Sequence, residues 1–62
     1  MASKKVMTKV DEIKEMLESL KSDFEGKFDE ASESWQNGEK GEQCMENISA
    51  CQDAIDALEG IE

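Results

Sequence analysis

Large apolar residues recur along the first part of the chain in alternating steps of four and three. Lysine, aspartate and glutamate occupy most positions between them, as on the outer faces of a coiled-coil helix. After one extra step of four at Gly26, the row continues through Phe28, Ala31 and Trp35. This pattern predicts one long amphipathic helix over about residues 4–36, with Ser3 or Thr8 as the cap at its start. The regular part of the row consists of Val6, Val10, Ile13, Leu17, Leu20 and Phe24.

A second row with the same spacing lies near the end of the chain. It consists of Cys44, Ile48, Cys51, Ile55 and Leu58, flanked by Ala50, Ala54, Ala57 and Ile61. Asn37-Gly38 is the strongest stop signal, since glycine readily takes the left-handed conformation that ends many helices. We therefore predict a turn over about residues 37–41 and a second helix over about residues 42–59, ended by Gly60. An earlier break stays open, because Ser32 resembles the cap of a short separate helix.

Two helices joined by a short turn predict an all-α, antiparallel helical hairpin, with residues 1–62 as its single domain. A chain of 62 residues buries only about 60% of its unfolded surface. The longer first helix would also leave the apolar row around Val6 and Val10 uncovered. We therefore expect self-association, as a homodimer or a tetramer, giving a dimeric or four-helix coiled-coil bundle. The expected oligomer core is Val6, Val10, Ile13, Leu17, Leu20, Phe24, Ile48, Ile55 and Leu58.

Charge is divided unevenly along the chain. Residues 1–27 hold six lysines and six acids, whereas residues 28–62 hold ten acids and only Lys40, which gives the net charge of −9. Direct nucleic-acid binding is not expected, because it depends on Lys and Arg contacts to phosphate. A partner protein with a basic surface fits better. We expect no membrane span and no signal peptide, and hence a cytoplasmic protein.

Catalytic and metal-binding chemistry has little support in the composition. The chain has no His, Arg or Tyr, and we expect neither an enzyme nor a cofactor or metal site. Cys44 and Cys51 are about 10 Å apart on one helix, too far for a disulfide with each other. We expect both to be reduced core residues, with a disulfide between chains as the alternative.

The candidate partner-binding residues lie around the predicted turn: Trp35, Glu39, Glu42 and Glu46. Trp35 either packs in the core beside the turn, with Phe24 and Phe28, or anchors a partner, since Trp is enriched at interface hot spots. The acids either solvate the second helix or steer a basic partner.

The segment from Phe28 to Glu42 resembles one found in small acidic helical proteins of phages and prophages. Their pattern is F-D-x-x-x-E-x-x-Q-x-x-E-[KR]-G, and the similarity covers roughly residues 11–60. The chain departs from the family at Ser32, where those proteins often carry a proline. The resemblance implies a viral origin, a setting in which very small proteins frequently inhibit host proteins. The matching residues are Phe28, Asp29, Glu33, Gln36, Glu39, Lys40 and Gly41.

Three functional hypotheses follow. The first is a self-associating phage-type protein that inhibits a host defence or regulatory protein by steric occlusion. The second is a structural coiled-coil module that holds chains together. The third is an acidic nucleic-acid mimic that blocks a basic DNA- or RNA-binding site. They differ in salt dependence, because exposed charges are screened beyond about 8 Å at physiological ionic strength.

Overall fold

The computed structural model describes residues 3–62 and is all-α, as the sequence predicts. It contains α1 (Lys4–Glu30), α2 (Glu33–Asn37) and α3 (Glu39–Glu59), and no strand occurs in this range. Met1 and Ala2, which begin the stretch assessed above for a signal peptide, lie outside the described residues. Within the described part of the chain, none of the helices is long and apolar enough to cross a membrane.

The start of α1 is capped by Ser3. Its hydroxyl accepts a hydrogen bond from the backbone N–H of Val6 at 3.3 Å, and its carbonyl accepts one from Met7 at 2.9 Å. These bonds satisfy donors that a helix start leaves without a partner. Thr8, the other candidate cap, lies inside the helix and donates to the carbonyl of Lys4 at 3.0 Å.

The predicted helix over 4–36 is wrong, because α1 ends at Glu30. Ala31 is extended (φ −76°, ψ 157°), and Ser32 then caps α2 by accepting from the backbone N–H of Trp35 at 3.3 Å. A serine that caps a new helix competes with continuation of the old one, so the earlier break is the correct alternative. The side-chain amide of Gln36 donates to the carbonyl of Phe28 at 2.6 Å. This bond gives a hydrogen-bond donor to a carbonyl in the last turn of α1.

The predicted turn over 37–41 is also wrong, because only Gly38 separates α2 from α3. Gly38 is extended (φ −91°, ψ −174°) rather than left-handed. Its carbonyl accepts from the backbone N–H of Glu42 at 3.1 Å, so helical hydrogen bonding begins at once and α3 starts at Glu39 instead of 42. The reversal of the chain is shared between the breaks at Ser32 and Gly38, and neither needs a left-handed residue. Gly60 ends α3, as predicted.

α1 and α3 pack against each other in opposite directions. The ammonium of Lys21 donates to Gln52 at 2.7 Å, and the thiol of Cys44 donates to the carbonyl of Phe24 at 3.4 Å. Phe24 follows Lys21 along α1, whereas its partner Cys44 precedes Gln52 along α3, so the two helices run antiparallel. The buried side chains are Val10, Cys44, Cys51 and Ile55.

The face of α1 that meets α3 differs in part from the predicted apolar row. Its centre is Val10, Leu17 and Phe24, which recur every seven residues, and one flank is formed by half-buried Lys14 and Lys21. Val10 was predicted to be uncovered and is only 6% exposed, because it lies on the centre line opposite the last turn of α3. Of the expected oligomer core, the members on the other flank stay open to solvent: Val6, Ile13 and Leu20, each 45% exposed.

Candidate interaction surfaces

Trp35 lies in a half-open cleft of about 260 Å³ where the end of α1, α2 and the start of α3 meet. Its indole packs edge-on against Phe28, with ring centroids 6.4 Å apart and an interplanar angle of 66°. Trp35 is half-buried, so it contributes to packing and also presents surface to the cleft. The lining residues are Phe24, Lys27, Trp35, Lys40, Gln43, Cys44 and Asn47.

The size and chemistry of this cleft limit what it can hold. Its volume lies just below the range of about 300–1,000 Å³ that sites for small molecules usually span, and it can hold one or two side chains of a macromolecular partner. Phe24 and Trp35 supply apolar surface, while Gln43 and Asn47 supply amides. Lys27 and Lys40 add positive charge beside the tryptophan, which was not expected from the sequence.

Glu39, Glu42 and Glu46 form a separate acidic surface on α3. All three are exposed, and with Lys40 and Gln43 they line a second, shallow depression. Their spacing of three and four places them on the side of α3 that is turned away from Cys44 and Cys51, at about 100° per residue. The predicted partner-binding set is therefore divided between two neighbouring surfaces, with Trp35 on one and the glutamates on the other.

The largest exposed apolar side chains of α1 lie on the flank opposite Lys21. Lys21 meets Gln52 on one flank of the helix pair. The other flank is therefore shared by the residues three positions after Val10 and Leu17 on α1 and by Ala54, three positions after Cys51 on α3. We call this surface the open flank. Met16 is 65% exposed there, and Ala54 is half-buried between the helices. The open flank consists of Val6, Ile13, Met16, Leu20 and Ala54.

Two features of these surfaces were missed from the sequence. Lys14 and Lys21 follow Val10 and Leu17 by four residues and recur every seven, so a second row beside the apolar one was readable. A lysine can lay its aliphatic stem along an apolar interface and keep its ammonium hydrated. The charge of Lys14 and Lys21 therefore does not exclude them from the interface between α1 and α3. No local signal in the sequence indicated that Lys27 and Lys40 line the same cleft, because this depends on the break at Ser32.

The other chemical features of the chain are its potential metal-ligating side chains and its two cysteines. No group of three or more His, Cys, Asp or Glu side chains that could hold a metal ion occurs within residues 3–62. Cys44 and Cys51 are both buried and neither forms a disulfide, in keeping with their expected place in the core. The surfaces that remain are the lysine-flanked aromatic cleft, the acidic face of α3 and the open flank.

Comparison with known proteins adds no relative from which a function could be transferred. No protein-family model, no curated protein and no solved structure matches the chain.

Proposed function

We propose that this chain is a non-enzymatic, helical-hairpin protein of phage type that self-associates and inhibits a host protein by covering part of its surface. The carrying observation is that its apolar and acidic surfaces point in different directions. The open flank lies on α1 and the inner edge of α3, whereas Glu39, Glu42 and Glu46 lie on the outer side of α3. The protein can thus assemble through the open flank and meet a target with the acidic side of α3.

The open flank supports self-association. Ile13 and Leu20 are each 45% exposed and Met16 is 65% exposed, in a chain in which 37% of residues are charged. Contiguous apolar patches on soluble proteins commonly mark protein interfaces. Burial of such a patch adds the apolar core that a domain of this length has difficulty building alone.

The cleft and the acidic face support target binding. Trp35 is held by Phe28 on one side and leaves part of its surface to the cleft, which is how a rigid aromatic anchor is presented to a partner side chain. The neighbouring glutamates give this side of α3 a negative potential. We propose that a host protein with a basic surface docks on these glutamates and places an apolar side chain beside Trp35, in the cytoplasm of a bacterial host.

A structural coiled-coil module is the second candidate, and the open flank favours it equally. The two candidates differ in what the cleft does. A structural module would use the open flank alone and leave the cleft without a partner, whereas an inhibitor needs the cleft for its target.

The test is capture of a target from bacterial lysate with the wild-type protein and with Trp35→Ala. Loss of a hot-spot tryptophan should weaken binding of the captured protein by about 30-fold, equivalent to about 2 kcal/mol. Met45→Ala is the matched control, because Met45 is a 50% exposed apolar residue of α3 that does not line the cleft. Binding is measured by titration, and helix content by circular dichroism.

A second variant keeps this test decisive if Trp35→Ala unfolds the chain. Gln43→Trp places a large side chain in the cleft at an exposed position and removes no core contact. It should abolish target binding while the helices stay intact. Unchanged binding by this variant, or an equal loss with Met45→Ala, would show that the cleft is not the recognition surface.

A further inference from the structure

We infer that two copies of this chain pair through their open flanks, with the two α1 helices antiparallel and the two-fold axis passing between Ile13 and Met16. This inference rests on the proposed self-association and specifies its geometry. Three observations carry it: the surface area of the single chain, the pattern of charge beside the apolar row, and the distribution of acids between α1 and α3.

The single chain exposes more surface than its mass predicts. Its accessible surface is 4781 Å², against about 4,000 Å² for a compact monomer of 6.9 kDa. The excess of about 800 Å² is similar in size to the area that each partner contributes to an interface of standard size. The shape agrees, since the radius of gyration is 14.6 Å and a compact chain of this length has about 10.6 Å.

The charges beside the apolar row favour one orientation. Lys9, Met16 and Asp23 recur every seven residues and lie next to the row of Val6, Ile13 and Leu20. This row of residues is therefore positively charged near the start of α1, at Lys9, and negatively charged in the last third of α1, at Asp23. In an antiparallel pair, Lys9 of each copy lies within about one helical turn of Asp23 in the other. In a parallel pair, lysine would face lysine and aspartate would face aspartate.

Pairing two copies through α3 is electrostatically unfavourable. α3 carries Glu39, Glu42, Glu46, Asp53, Asp56 and Glu59 against the single Lys40. Pairing α3 with α3 would set these acids against each other, and like charges across an interface are destabilising. α1 is balanced over residues 4–27 and is the helix that a second copy can approach at least electrostatic cost.

The first experiment measures mass by analytical ultracentrifugation at micromolar concentration. We expect a dimer for the wild type and a monomer for Ile13→Lys, in which a charge replaces an apolar group at the axis. Met45→Lys is the matched control, since Met45 is as exposed as Ile13 but lies outside the open flank, and it should remain dimeric. A monomeric wild type, or equal dissociation of both variants, overturns the inference.

The second experiment determines the orientation by charge exchange. In the antiparallel pair, Asp23→Lys sets lysine against Lys9 at two equivalent places and should weaken the dimer about fivefold. Adding Lys9→Glu should restore the wild-type dissociation constant. All of these positions are exposed, so the variants keep the fold.

The outcomes separate this inference from the proposed function. In a parallel dimer, Asp23→Lys would leave the affinity unchanged or raise it, because it lowers the net negative charge of each chain, and the antiparallel inference alone would fail. A monomeric wild type would remove self-association as well. Target capture through Trp35 is measured separately, so its result is independent of both outcomes.

Discussion

At Gly41 the structure leaves no room for a side chain. Gly41 is buried in the first turn of α3, directly against the backbone of Gln36 in α2. A Cβ built on Gly41 would collide with the Gln36 carbonyl and would lie 2.6 Å from its Cα. Because both contacted atoms belong to the main chain, no rotamer change can relieve the collision, and α2 would have to move away from α3.

Gly41→Ala should therefore lower the free energy of unfolding by about 1–3 kcal/mol, as overpacking does in other cores. Gly26→Ala is the matched control, because Gly26 lies inside α1 and its built Cβ meets nothing within 4 Å. That change should raise stability by roughly 0.5–1 kcal/mol through helix propensity. Urea denaturation followed by circular dichroism measures both. Equal effects of the two substitutions would contradict the tight contact between α2 and α3.

At the scale of the elements, the short helix α2 sets the position of the cleft. The break at Ala31 and Ser32 turns Trp35 back towards Phe28, and Gln36 ties α2 to the end of α1. An uninterrupted helix to residue 36 would instead carry Trp35 along the axis of α1, past the start of α3. The cap at Ser32 therefore matters more for this site than its single hydrogen bond suggests.

Ser32→Ala removes the side chain that accepts from the backbone N–H of Trp35. The loss of an N-cap typically costs about 1 kcal/mol, and we expect the midpoint of thermal unfolding to fall accordingly. Ser34→Ala, inside α2, makes the same chemical change away from the cap and should have a smaller effect. A destabilisation by Ser34→Ala as large as that by Ser32→Ala would show that the cap does not hold the break.

At the scale of the whole molecule, the chain is a thin rod of 48 × 15 × 10 Å whose charge is segregated by helix. α1 is balanced up to Lys27, whereas α3 is strongly acidic. The negative potential is therefore concentrated along one side of the rod. A segregated charge of this kind acts mainly on the rate at which an oppositely charged partner arrives.

Reversing Glu42 and Glu46 to lysine should slow association with a basic target about tenfold or more at low salt, with a smaller effect on dissociation. The difference from wild type should shrink as ionic strength rises, because exposed charges are screened. Glu18→Lys with Glu25→Lys changes the net charge equally on α1 and serves as the control. Stopped-flow or surface-based kinetics at two salt concentrations measure the rates. Equal slowing by both pairs would assign the effect to net charge rather than to the acidic face.

The sequence by itself determined the helical class, the end of α3 at Gly60 and the place of Cys44 and Cys51 in the core, and it offered Ser3 and Thr8 as alternative caps for α1. Each of these follows from contacts within a few residues or from a spacing repeated many times. The sequence also contained the break at Ser32, but the apolar row that passes through it favoured continuation. Local signals of similar strength competed there, and the packing of α2 on its neighbours decided between them.

Only the tertiary structure decided which flank of α1 meets α3. The rows on both flanks repeat every seven residues, and periodicity alone favours the apolar one. The structure instead places Lys14 and Lys21 towards α3 and leaves Val6, Ile13 and Leu20 partly exposed. A hydrogen bond from Lys21 to Gln52 and the hydration of lysine ammonium groups make this arrangement favourable. The separation of Trp35 from the acidic face was also decided only by the tertiary structure. It depends on how three helices pack together and not on any one of them.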